Sequence, residues 1–391
     1  MNKKVTPVVD LISGKYLMYP VILIMLFLSG CQPDSSSAPS QLVAADIPAA
    51  GFLRADGSDT LTFPEDHGAH LDYQTEWWYF TGNLETDAGR HFGYQLTFFR
   101  RALIPDSDRP KRESAWAADQ VYMAHFALTD VEGSEFNSFE RFTRGSTNLA
   151  GVMADPFAVW LEDWSVEEIE SGVYQMRASQ EGLKLDLRLI DSKGPVLHGD
   201  RGYSQKGPET GDASYYYSLT RLESSGTVQI SEDIFQVNGE SWMDHEYSTS
   251  ALSEGQIGWD WFSIQLDDNS ELMVFQIRQA DGSVDAYSSG TWIAPDGSVT
   301  KLAREEFRIE VEDTWRSPHS GAVYPSTWSI GVPELGLNLH LEPFLADQEL
   351  NLSYSYWEGA VRVQGSRMGT QVNGHGYVEM TGYAGSMQGQ F

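Results

Sequence analysis

The chain runs to 391 residues, of which 41% are hydrophobic, 12% aromatic and 21% charged. That length exceeds the size at which one core usually stops growing, so two domains are predicted, and the apolar share excludes a disordered chain. A formal net charge of −30, with no basic stripe to offset it, repels phosphate backbones and excludes nucleic acid as a partner.

Residues 1–31 read as a targeting segment. Lys3, Lys4 and Lys15 give a positive n-region, and Tyr16 to Leu28 an apolar run shorter than the ~20 residues a bilayer requires. Leu28-Ser-Gly-Cys31 follows, and Cys31 is the single cysteine, which excludes an internal disulfide and a cysteine-based zinc site. This ending resembles a bacterial lipobox. The resemblance implies that Cys31 is lipidated and becomes the mature N-terminus, so the membrane is met through a lipid anchor. Gln32 stands where an aspartate would resemble an inner-membrane retention signal. In a Gram-negative host this implies an outer-membrane lipoprotein facing the periplasm. Residues 32–50 are a Ser/Pro/Ala-rich tether, too polar to fold.

From Phe52 onward, short alternating runs are punctuated by turn signals such as Asp87-Ala-Gly89, Asp281-Gly282 and Asp296-Gly297. Tyr94–Phe99, Leu183–Leu189 and Leu337–Leu341 alternate apolar and polar residues, Leu272–Arg278 is more continuously apolar, and no segment sustains a helical period. The predicted class is all-β, built as sandwiches or barrels. There is also an internal echo. Glu76–Glu85 leads through a turn into Phe92–Arg100, and Trp259–Asp267 leads through a turn into Glu271–Arg278. Each is an aromatic strand, a hairpin loop and an apolar strand ending in arginine. A duplicated β domain is therefore predicted, with copies over 51–249 and 250–391.

The Gly239–Ser248 stretch lies at that junction and places Trp242, Asp244, His245, Glu246 and Tyr247 within six residues. Farther on, Asp260 stands between Trp259 and Trp261. Burial raises a carboxyl's pKa and aromatic faces hold positive charge, so such a stretch suits proton transfer in a dry pocket. Tryptophan-rich strands also simply fill cores, and an Asp-His pair also bridges buried elements. On a strand, Trp242 and Asp244 share one face, as do Trp259 and Trp261, leaving Asp260 on the other. This favours Asp244 with His245 over Asp260 as a catalytic core. Glu76, beside Trp77 and Trp78, is a second candidate acid, with pairing to a barrel arginine such as Arg100 as its alternative.

The chain resembles the AttH/CrtC-like family, which includes carotenoid 1,2-hydratase (hydroxyneurosporene synthase). The resemblance rests on His70–Gly82, Ala124–Asp130, Ala213–Ser218, Ser241–Ser248, Gly258–Phe262, Tyr356–Gly359 and Gly376–Gly382, in order along nearly the whole mature chain. It implies two lipocalin-like antiparallel β-barrel domains in tandem. It also implies hydration of isolated alkenes, or membership among secreted proteins named hydrolases or partners of an export system. Asp244 and His245 fall in the region the hydratases use, and Tyr247 stands where tryptophan is usual.

Other chemistries find less in the sequence. Gly202-Tyr-Ser-Gln-Lys-Gly207 lacks the spacing of a serine nucleophile turn. His67 and His70, with Asp66 and Asp72 nearby, form no His-Glu-x-x-His motif and read as a solvated loop pair; His125 reads as a satisfied core histidine. Neither metal nor cofactor is expected. Two classes of function remain. The first is a lipid-anchored carrier of an apolar small molecule, lipid or isoprenoid-like, with an ABC-type transporter as candidate partner. The second is an acid-catalysed hydratase or lyase, with a secreted hydrolase as a further alternative. Asp244, His245 and Glu76 would be catalytic, and Trp77, Trp78, Trp242, Tyr247, Trp259 and Trp261 would bind the ligand. A pocket with Asp244 or Glu76 in its wall favours chemistry, and an apolar groove without buried acids favours carriage.

Overall fold

The computed structural model describes residues 49–109, 117–250 and 252–387. The expected signal segment with Cys31, and the tether as far as residue 48, lie outside the described residues. Among those described, strands dominate and the helical pieces are 3-10 turns of three residues each. No helix among them is long and apolar enough to cross a membrane.

The strands pair antiparallel in two sheets, thirteen strands between Thr75 and Ser248 and ten between Gln256 and Met380. The Thr75–Glu85 strand, with its Trp77–Phe80 run, lies between the second strand of its sheet, His91–Ala102, and the last, Asp233–Ser248. The Gln256–Leu266 strand, with its Trp259–Phe262 run, lies in the same way between Glu271–Gln279 and Thr370–Met380. The echo in the sequence is thus a repeated strand order. Each sheet curls on itself. In the first, Phe126 meets Trp164 of the far half at 5.7 Å between ring centroids, and the Arg141 guanidinium lies 4.2 Å over the same ring. In the second, Phe262 meets Trp328 at 5.7 Å. The outcome is two lipocalin-like antiparallel β-barrel domains in tandem.

Burial along each strand tells which wall it forms. Leu183–Asp191 alternates inward apolar residues with outward polar ones, as expected where one face meets water. Thr75–Glu85, His91–Ala102 and Gln120–Asp130 are instead buried on nearly every residue. Their inner face fills the first barrel, and their outer face is covered by the second. Tyr79, Trp242, Trp261, Phe275 and Tyr377 form the apolar layer between the two, each stabilising by about 1.5–3 kcal/mol when fully buried. Approach is close at Gly93, where a Cβ would stand 2.5 Å from that of Ala360. Polar ties also cross: Asn83 Nδ2 donates to the Gly376 carbonyl at 3.1 Å, and Gln265 Nε2 to the Ser241 carbonyl at 2.9 Å.

Candidate functional site

On the Asp233–Ser248 strand, successive side chains take opposite faces. Met243 and Tyr247 enter the first barrel's core with His245, whereas Trp242, Asp244 and Glu246 point toward the second barrel. The outward set, with Trp77, Tyr79, Lys206 and Tyr216, faces Trp259, Trp261, Phe275, Glu358 and Glu379 across a cleft. Its empty volume is ≈ 950 Å³ with the open mouth included. Trp77 and Trp259 are only half-buried and border it.

Asp244 is buried in this wall. Trp242 Nε1 donates to its Oδ1 at 2.6 Å, the Ser218 hydroxyl bonds to the same oxygen, and the Tyr216 hydroxyl donates to Oδ2 at 2.7 Å. Tyr216 in turn accepts Trp261 Nε1 at 3.0 Å, so one chain of hydrogen bonds joins both barrels through the carboxyl. Burial pushes the Asp244 pKa up to about 7, outweighing the three bonds that favour the carboxylate. A carboxyl so placed still holds a proton near neutral pH and can deliver it. Behind Ser218, His198 Nε2 lies 2.6 Å from the serine hydroxyl.

The opposite wall carries a second acidic system. Glu358 and Glu379 are cross-strand neighbours on Ser355–Arg367 and Thr370–Met380. Burial and the neighbouring Glu379 hold Glu358 well above the usual carboxylate range. Glu379, bonded by Trp259 Nε1 at 2.8 Å, is pushed by burial and by the charges of Asp244 and Glu246 to about 8. Placed opposite each other on paired strands, the two carboxyls oppose each other's ionisation. Glu246 itself is paired with Lys206.

Inside the first barrel lies a separate network. Glu76 is fully buried; its Oε1 lies 2.8 Å from His245 Nε2 and 2.7 Å from His70 Nδ1, and its Oε2 accepts Arg100 Nε at 2.8 Å. Burial opposes the charge, but Arg100 and His70 hold the Glu76 carboxyl well below its usual range. Burial likewise opposes charging of His70, yet Glu76 and Asp66 raise it to about 9; His245, without a second acid, is lowered by burial to about 4. His70 also stacks on Tyr247 at 3.5 Å between centroids. His70, Glu76 and His245 bring three ligand atoms within 4.8 Å of one another. Those atoms already bond to one another, and Arg100 adds a fixed positive charge to the same carboxylate, so the set fits a hydrogen-bonded ion network better than a divalent cation.

The predicted site residues therefore divide. Asp244, Trp77, Trp259 and Trp261 come together at the cleft, with Trp242 packed beneath Asp244. His245, Glu76, Trp78 and Tyr247 face the first barrel's interior, on the other side of the sheet. Asp244 and His245 do not form one site, because neighbours on a strand cannot share a face. His70 is not a solvated loop residue but a half-buried member of the Glu76 network, and His67 lies 2.6 Å from the Tyr217 hydroxyl. His125 is a satisfied buried histidine, between Tyr356 and Glu140. Asp260 faces the second barrel's interior and pairs with Arg278 at 3.1 Å. Sequence reasoning missed Glu358 and Glu379. The signal was present, since each is an acid set inside an aromatic β run, as Asp244 is.

Among curated proteins none matches the chain. Solved structures do. A Nitrosomonas europaea protein described as an AttH shares 34% identity over 85% of this chain and 99% of its own, with a TM-score of 0.75. Kievitone hydratase from Nectria haematococca shares the fold at 13% identity, over 86% of this chain and 98% of its own, with a TM-score of 0.63. The AttH-like family model matches residues 54–383, nearly the whole described chain, and the protein belongs to that family.

Proposed function

We propose that the chain is an acid-catalysed hydratase that adds water across a double bond of an apolar substrate held between its two barrels. The observation that carries this reading is Asp244, a carboxyl buried in an aromatic wall and raised to about 7. A neutral acid there can protonate an alkene carbon, most readily one that leaves a tertiary cation, as in an isoprenoid chain. Trp77, Trp259 and Trp261 border the same space, and each ring face stabilises a desolvated cation by about 1–2 kcal/mol. Water then attacks the cation, and the proton it releases restores Asp244. Kievitone hydratase, a hydratase by name, has this fold, which supports the reaction class. A carrier would use the same cleft but gives its buried acids no role. Lipid anchoring at Cys31 would hold the enzyme at the outer membrane, close to apolar substrates.

The test is hydration of prenyl-bearing alkenes in oxygen-18 water, followed by mass spectrometry. Asp244→Asn should slow the reaction at least about 100-fold while substrate still quenches tryptophan fluorescence. An unchanged rate in that variant would sink the assignment.

A further inference from the structure

The second barrel's half of the cleft holds an arrangement that proton donation by Asp244 does not use. Both carboxylate oxygens of Glu358 are buried without a hydrogen bond of regular geometry, although the side chain is fully enclosed. The hydroxyls of Tyr79 and Tyr377 are buried in the same way; those of Tyr79 and Tyr356 lie against the Glu358 carboxyl, and Tyr79 lines the cleft. Buried polar groups are otherwise nearly always satisfied, and like charges directly opposite on adjacent strands destabilise a sheet. Among the described residues, no lysine or arginine pairs with Glu358 or Glu379; Lys206, the cation of the cleft, is committed to Glu246. What surrounds the pair is aromatic: Trp77, Trp259, Trp261, Phe275 and Tyr356. Inorganic divalent cations prefer a shell of several oxygens, whereas ring faces beside a carboxylate suit an organic cation.

We propose that the Glu358–Glu379 pair makes the cleft a receptor for positive charge, binding an apolar ligand through a quaternary or tertiary ammonium centre set against the aromatic wall. The proposal goes beyond hydration and does not depend on Asp244. If both readings hold, the same pair faces the carbocation, whose charge an ammonium group imitates. Binding of a cation expels a proton that the pair retains near neutral pH, so affinity rises with pH until the pair is fully ionised. The groups facing the pair are Asp244, Glu246, Lys206 and Tyr79 from the first barrel, and Tyr354, Tyr356 and Tyr377 from the second. Behind Tyr356 stands His125, bonded to Glu140.

The experiment compares benzyltrimethylammonium with its neutral isostere neopentylbenzene by calorimetric titration of the full chain. At pH 8 the cation should bind about tenfold or more tightly than the isostere. Glu358→Gln and Glu379→Gln should each abolish that preference, with melting temperatures showing both variants folded; Glu379, only half-buried, is the safer of the two. Cation affinity should climb between pH 6 and 9 while isostere affinity stays flat. Equal binding of the two probes, or a preference that survives both substitutions, overturns the proposal and assigns the attraction to the overall negative charge. Asp244→Asn should keep the cation preference while losing hydration, so either reading can fail without the other.

Discussion

Replacing Asp244 by asparagine tests the buried acid without any substrate. In the unfolded chain the carboxyl titrates near 3.8, and in the fold near 7. A carboxyl whose pKa is raised by folding keeps its proton where the unfolded chain has lost it. Stability therefore falls as pH climbs from the unfolded value to the folded one, and levels off above it. At about 1.36 kcal/mol per pH unit, the stretch from pH 5.5 to 7 removes about 2 kcal/mol from the native protein. Asparagine cannot ionise and escapes this loss. The swap has its own fixed cost of about 1 kcal/mol, because an amide nitrogen replaces one of the acceptors serving Trp242, Ser218 and Tyr216. That cost does not vary with pH. Glu379 feels the Asp244 charge, so its own pKa drops in the variant, which moves the balance the same way. Urea unfolding at pH 5.5 and 8.5 should show the stability difference shifting in the variant's favour by about 2 kcal/mol. A difference that stays constant, or moves against the variant, refutes the raised carboxyl and with it the proton donor.

Arg100→Met strips Glu76 of its strongest partner and should destabilise the fold by about 3 kcal/mol in urea, because a fully buried carboxylate then keeps only His70 and His245 as partners. Since Glu76 is held low by its partners, its contribution is present above its unfolded pKa and lost as pH falls through its depressed folded value, so acid unfolding of the native protein should converge on that of the variant. Cys31→Ser should leave the chain out of the membrane fraction or its precursor uncleaved; normal processing and retention of the variant would disprove lipidation.

The fold was legible because each of its devices leaves a local mark. Turn residues at short spacing gave the strands, and the repeat of an aromatic strand, a loop and an arginine-ended strand gave the two barrels. Burial on both faces was also written in the sequence. Thr75–Leu84 has hardly a charged residue apart from Glu76, whereas Leu183–Leu189 places Lys184, Asp186 and Arg188 at every second position. The site was only half legible, for a geometric reason. Adjacency along the chain suggested that Asp244 and His245 act together, while the pleat sends them to opposite sides of the sheet. Tyr216 is brought to Asp244 by the pairing of neighbouring strands, and Glu358 and Glu379 face it through the packing of one barrel on the other, and no local pattern encodes either meeting.

The division of acids between the two faces carries the functional argument further. Inside each barrel an acid is neutralised by an arginine on the neighbouring strand, Glu76 by Arg100 and Asp260 by Arg278. At Glu76 the guanidinium, with His70, holds the carboxylate ionised and leaves it no proton to give, whereas burial still raises Asp260 against the pull of Arg278. The described barrel interiors are lined with aromatic and aliphatic side chains. In the cleft, by contrast, Asp244, Glu358 and Glu379 pair with no arginine, and burial, helped by the neighbouring acids, sets their pKa values upward. Neither barrel alone would produce that state. Asp244 on the first would meet water, and so would Glu358 and Glu379 on the second, and each would return toward an ordinary carboxylate. The chemistry of this protein thus depends on the apposition of two walls. A substitution that only parts them, at Gly93 for instance, should lower those pKa values together without touching a single acid.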